Sequence, residues 1–336
     1  MLSVMILRPK PSLHLHAALP GSVAHVSIVP VPAWLRRAVQ EPQHLEDTAI
    51  AAGAAIGALD AVVRREERWA GAWRQRLALT AAAVTARQEG RVEDEVALRD
   101  AVLLTRPGDF LSVGPAGSML LAWRRLAGRP AQELLAEKSL AAVLEEFGYA
   151  AKDEMASDLA EDLRQLVATE GPVGAFAGAY AAVERLSLPR AVGSWVADAL
   201  LAQRLGWRHA VSLLGTETAG AKKSGRARLS AGAPAVSASD RATMLLGAQA
   251  QAALCAIDLF VELGRRADRL LAVAPKLRAK AADSVVERLL SDDAITASEN
   301  IAGMSDRGLR RLFDRLVELG SVRELSGRPA FRIYGL

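Results

Sequence analysis

Gly303-Met-Ser-Asp-Arg-Gly-Leu-Arg-Arg-Leu-Phe-Asp-Arg-Leu-Val-Glu-Leu-Gly320 is the stretch on which the fold turns. Ser305 stands where an N-cap hydroxyl receives a free amide, and Gly320 where a helix ends in a left-handed residue. Between them, Asp306 to Leu319 repeats Leu309, Leu312, Phe313, Leu316 and Val317 at helical spacing, predicting one buried face. The opposite face carries Arg307, Arg310, Arg311, Asp314 and Arg315.

The flanks complete a module. Upstream, Ala279 to Leu290 places Ala282, Val285, Val286, Leu289 and Leu290 on one side of a helix. Thr296-Ala-Ser-Glu299 has capping-box spacing and predicts a short helix through Ile301 and Ala302, ahead of a tight turn at Gly303-Met304-Ser305. Downstream, Val322 to Leu325 and Ala330 to Tyr334 are strand-like and joined by Ser326-Gly327-Arg328-Pro329, which predicts one β-hairpin. Helix, helix, turn, helix, hairpin is the order of a winged helix-turn-helix, assigned to residues 276–336. In that fold an outward helix enters the major groove and the wing lies along phosphates. The DNA-binding set is then Ser305, Arg307, Arg310, Arg311 and Arg315 on the helix, with Arg323, Arg328 and Arg332 on the wing. Residues 304–336 hold seven arginines against four acids, a local excess of +3. The same module also serves elsewhere for dimerisation or partner docking, so a protein-interaction adaptor is the alternative.

The remainder reads as helix. Of 336 residues 66 are alanine, the best helix former, and only 4% are aromatic. Residues 46–275 form the expected all-α domain. Its first helix runs from Leu45 through Ile56 and Leu59 to Val63 and closes on the charged run Arg64-Arg65-Glu66-Glu67; the second carries Trp69, Trp73 and Leu77 and breaks at Gly90. Glu93 to Leu104 makes a third, ended by an Arg106-Pro-Gly-Asp109 turn, and further helices are predicted at about 115–128, 131–147, 153–169, 172–186, 189–205 and 240–273. The Ala/Gly-rich stretch 171–182 is slim enough to lie centrally. An exposed loop at about 215–238 offers a secondary basic cluster, Lys222, Lys223, Arg226 and Arg228. Residues 1–45, with six prolines, read as a flexible leader. The fold class is therefore mainly α, a large helical domain followed by the winged module.

Chemistry is sparse. The one cysteine, Cys255, excludes an internal disulfide or a cysteine zinc site, and lies mid-helix among apolar residues as an expected buried thiol. His14 and His16 have no further ligand nearby in sequence, so no metal is assigned. The acids at Glu93-Asp94-Glu95 and at Asp158, Glu161 and Asp162 match solvated helix faces. Gly215 to Lys222 misses the P-loop pattern by one residue, since Ala221 separates Gly220 from Lys222. Trp69, Trp73, Trp123, Trp195 and Trp207 are expected as core anchors. A net charge of +4 is too small to bind a polyanion globally, so basicity has to act locally. No run matches a transmembrane span or signal peptide, which predicts a cytoplasmic protein with no membrane partner, no cofactor and no enzymatic activity.

Residues 303–320, Val322-Arg-Glu-Leu-Ser-Gly-Arg328 and Phe331-Arg-Ile-Tyr334 resemble the winged-helix tail of many Fic-family proteins. Thr85-Ala-Arg-Gln-Glu89-Gly90 fits the inhibitory-helix pattern of that family. Its catalytic His-x-Phe-x-[Asp/Glu]-Gly-Asn-Gly-Arg signature is absent, so nucleotidyl transfer lacks both its base and its phosphate cradle; a degenerate Fic-like scaffold is what this resemblance leaves. From about Thr48 to Leu336 the chain also resembles an uncharacterised alphaproteobacterial family found on rhizobial plasmids and mobile replicons. Trp73-Arg-Gln-Arg-Leu-Ala-Leu79, Asp94-Glu-Val-Ala-Leu-Arg-Asp100, Arg106-Pro-Gly-Asp109, Gly114-Pro-Ala-Gly117 with Ala122-Trp-Arg-Arg125, and Leu270-Leu-Ala-Val-Ala-Pro-Lys-Leu-Arg278 carry the likeness. That family has no assigned reaction to lend; with the winged module, the expectation is a non-enzymatic regulator or accessory factor of such an element, binding double-stranded DNA, with a homodimer or protein partner as a further expectation.

Overall fold

Apolar residues at helical spacing fold into twelve α-helices among the described residues of the computed structural model. Those residues are 31–41, 44–105, 110–149, 153–217, 237–279, 281–328 and 330–336. The loop lysines and arginines at 222, 223, 226 and 228, the histidines at 14 and 16, and the turn at 106–109 lie outside them. The helices are α1 (Ala33–Gln40), α2 (Leu45–Val63), α3 (Ala70–Gln88), α4 (Glu95–Leu103), α5 (Gly114–Gly128), α6 (Glu137–Glu146), α7 (Asp153–Thr169), α8 (Pro172–Arg185), α9 (Arg190–Arg204), α10 (Ala238–Val273), α11 (Ala282–Ser291) and α12 (Asp306–Glu318). Three short strands, β1 (Ile295–Thr296), β2 (Arg323–Glu324) and β3 (Ile333–Gly335), form an antiparallel sheet in the order β1-β3-β2. The fold is mainly α.

The centre is built on α3 and α9, which are buried along most of their length. Four tryptophans fix the packing. Trp73, Trp123, Trp195 and Trp207 are almost wholly buried, and each indole N–H finds an acceptor: Ala256 O, Thr85 Oγ1, Ala122 O and Asp60 Oδ1 respectively. Buried indoles need such partners, because an unpaired N–H in an apolar interior costs more than the ring's burial returns at that atom. The carboxylate of Asp198, fully buried on α9, accepts from the amides of Leu213 (2.8 Å), Leu214 (3.0 Å) and Gly215 (3.4 Å). Burial nevertheless pushes its pKa up to about 7, against the pull of those three amides.

Several expectations change. The leader reading extended to residue 45, but α1 occupies 33–40, burying Leu35 and Val39 and pairing Arg36 with Asp258 of α10. The single helix expected over 131–147 is a 3-10 turn at Ala131–Glu133 followed by α6. Ala131 N donates to Arg208 O at 2.9 Å, and this tether holds the turn away from the helix axis. Helix α8 is not central: one side packs on α7, α9 and α10, where the Tyr180 hydroxyl meets Ser194 Oγ at 2.8 Å, and the other side faces solvent. Cys255 is exposed rather than buried, because it falls on the outward stripe of α10 with Met244, Asp258 and Glu262. That helix is the one among the described residues long and apolar enough to cross a membrane by length and composition, and 56% of its most apolar window is buried in the molecule.

Residues 31–336 form one compact unit. The C-terminal elements are bolted to the helical body by a buried ion cluster. Asp293, just before β1, lies between Arg76 of α3 and Arg99 of α4; Arg99 Nε donates to Oδ2 at 2.6 Å, and Arg76 Nε donates to Oδ1. Burial alone would raise the pKa of Asp293, but the two guanidiniums overcome it and hold the carboxyl below its ordinary value. Gly71 of α3 abuts the end of α11 so closely that an added Cβ would come within 2.6 Å of Ser291 O.

Candidate nucleic-acid interface

The C-terminal order is α11, β1, turns, α12, β2, β3. The short helix expected at Ile301 and Ala302 is absent; turns occupy 297–303. Thr296 explains why. Its backbone pairs with Ile333 in the sheet and its side chain is buried, so it enters β1 instead of capping a helix. The hairpin accordingly gains a third strand, and β3 is the middle one.

Helix α12 forms as its sequence dictates. Ser305 Oγ accepts from Gly308 N at 3.2 Å, and Gly320 takes the left-handed conformation (φ 63°) that releases the chain toward β2. Leu309, Leu312, Phe313 and Leu316 are buried, and Phe313 stacks on Tyr334 of β3 with ring centroids 4.2 Å apart. Val317, expected in the buried face, is 40% exposed. Its helix neighbours Asp314 and Glu318 are exposed too, so it lies on the margin of the buried stripe.

The outward face carries Arg307, Arg310, Arg311, Asp314 and Arg315, all exposed. Among the described residues Arg307, Arg310 and Arg311 have no acidic partner within ion-pair distance. Arg315 is paired with Glu318 at 3.1 Å and Arg332 lies 3.9 Å from Asp314; both pairs are exposed and screened by solvent, so they are readily exchanged for another anion. Arg323 is exposed on β2, close enough to Arg266 of α10 to help depress its pKa, after burial and with Arg269 also contributing. The basic surface thus continues from β2 onto α10, which composition alone did not reveal. Arg328 is differently placed: its Nη2 lies 2.5 Å from Asp100 Oδ2 on α4, so the hairpin tip is clasped to the helical body. Next to it Phe331 is 71% exposed with φ 57°, an unusual backbone for a bulky residue.

Other motifs resolve into structure. Thr85 is buried and accepts from Trp123, while Arg87 to Gly90 are exposed, so the segment resembling an inhibitory helix leaves the core as α3 ends. Asp94 caps α4 through Ala97 N at 2.9 Å, and Glu95 accepts from Thr80. Glu161 and Asp162 pair with Arg164 and Arg185 on the surface. No group of three metal-ligating side chains occurs among the described residues. A family model described as "Protein of unknown function (DUF1403)" matches residues 22–336, and the chain belongs to that family. No curated protein and no solved structure matches it.

Proposed function

We propose that this member of the family binds double-stranded DNA through its C-terminal module, without catalysis, as a regulator or accessory factor of a plasmid or other mobile element. One observation carries the reading: Arg307, Arg310 and Arg311 project from one face of α12 into solvent with no carboxylate among the described residues paired to them. A guanidinium presents the forked donors that match guanine edges and phosphate oxygens. Arg323 on β2 and Arg315 and Arg332, released from their weak surface pairs, would contact the flanking backbone. The likeness of residues 303–334 to the winged tail of Fic-family proteins supports a recognition module, and the missing Fic signature supports the absence of nucleotidyl transfer.

The test is a mobility-shift titration of Arg310→Ala/Arg311→Ala on a fragment selected from cellular DNA by the intact protein. At about 1–3 kcal/mol per base contact the pair should lose about 2–6 kcal/mol. Affinity of the native chain should also fall steeply with salt, as phosphate contacts release counterions. Unchanged titrations with an intact circular dichroism spectrum would reject the assignment. An adaptor role is the second reading, favoured by the exposed Val317, Leu319 and Phe331 beside the arginines; it predicts binding that resists salt and fails on Phe331→Ala.

A further inference from the structure

A cavity of about 700 Å³ lies on the far side of α11, between the end of α2, the first turn of α3 and the turn at 206–209. Arginines 64, 68, 74 and 208 and His209 line it, against two acids, Glu66 and Glu67. Most of these charges are already satisfied. Arg64 is held by Asp60 and by Leu205 O, Arg68 by Glu287 of α11, and Glu67 by Arg65. Arg208 reaches Glu66 only at 3.9 Å.

Arg74 stands apart. Its Nε donates to Ala127 O at 3.1 Å, yet no carboxylate lies within ion-pair distance of it among the described residues. Burial pushes its pKa down to about 10; Glu66 opposes that and Arg208 adds to it. The neighbouring imidazole registers the same field. His209 is pushed down to about 4, first by burial and then by Arg74 and Arg208. A half-buried guanidinium lacking a counter-ion, beside a second one, is costly unless an anion joins them. The backbone around it is fixed, because residues 130 and 209 pair as a β-bridge and Ala131 N is bonded to Arg208 O.

We propose that this cavity binds a small molecule through an oxyanion, a phosphate or a carboxylate, bridged between Arg74 and Arg208 with His209 beside it. Its volume falls in the range of small-molecule sites. The rest of the ligand would extend toward Arg68 and Ser291, where the cavity meets α11. The site is separate from α12 and stands whether or not the protein binds DNA.

The test is calorimetric titration of the full chain, without DNA, using inorganic pyrophosphate and succinate as probes at 150 mM chloride. Saturable binding of either is expected; the stronger of the two identifies the phosphate or the carboxylate class. Arg74→Met should weaken it about tenfold or more, the worth of one charge-assisted contact. Arg208→Ala, on an exposed side chain that folding does not need, should weaken it severalfold and keeps the test valid if Arg74→Met fails to fold. Bound probe should also raise the titration midpoint of the His209 imidazole, followed by NMR. No saturable binding of either probe, or Arg208→Ala titrating like the native chain, would overturn the proposal.

Discussion

Replacing Asp293 by Asn tests what holds the C-terminal module in place. Asp293 is 1% exposed at its side chain, Arg76 14% and Arg99 7%, so the three charges share a site nearly closed to water. The Asn amide keeps the volume but removes the anion, leaving two buried guanidiniums facing each other. Breaking a buried pair from one side costs about 3–5 kcal/mol. With a urea slope of about 3 kcal/mol/M for a chain of this size, the unfolding midpoint should fall by about 1–1.7 M. Far-UV circular dichroism in urea measures it, and limited proteolysis should cut within 292–336 earlier than in the native chain. The acid limb carries the same sign. A carboxyl whose folded pKa is lowered contributes stability that is complete above its unfolded value, near 3.8, and is lost as pH falls through the folded value. Native stability should therefore drop below about pH 4, and Asp293→Asn should remove that part of the drop. Arg76→Met/Arg99→Met/Asp293→Leu, which exchanges the whole cluster for apolar volume, should recover most of the loss. A midpoint shift in Asp293→Asn worth less than about 1 kcal/mol would refute the reasoning, since surface pairs contribute that little.

Asp198→Asn should destabilise by about 1–3 kcal/mol, seen in thermal melts, because an amide NH2 would face at least one of the three backbone donors now held by the carboxylate. Gly71→Ala should lower stability by about 1–3 kcal/mol, since the added methyl meets backbone atoms of Ser291 that no rotamer can move aside. Cys255 in the native protein should react with a thiol reagent almost as fast as in urea; protection there would contradict its exposure on α10. Asp100→Asn should release Arg328 and loosen the hairpin tip, detected as faster amide exchange around Gly327 with little change in the urea midpoint.

Helix α12 was legible because everything that makes it is local: cap, apolar stripe, outward arginines and closing glycine lie within eighteen consecutive residues. The same is true of α2, α3, α5 and α9. Strand β1 was not legible, for Ile295-Thr296 is too short to show alternation, and its pairing partner lies nearly forty residues away at Ile333 and Tyr334. The capping-box spacing at Thr296 was outweighed by that long-range pairing. Val317 and Cys255 were misjudged for a related reason: a stripe of apolar residues on a helix does not say how wide the covering surface is. The cluster of Arg76, Arg99 and Asp293 and the cavity around Arg74 are convergences of distant segments. In the sequence nothing links the members of the first, and the run Arg64-Arg65-Glu66-Glu67 reads only as a helix end.

Arg328 and Asp293 have a practical meaning for anyone dissecting this molecule. A tail excised at residue 276, or grafted onto a foreign scaffold, would carry an orphaned acid at 293 and a free guanidinium at 328, and would forfeit the receptors at 76, 99 and 100. Swapping the last sixty residues between relatives should thus succeed only when those three sockets travel with them.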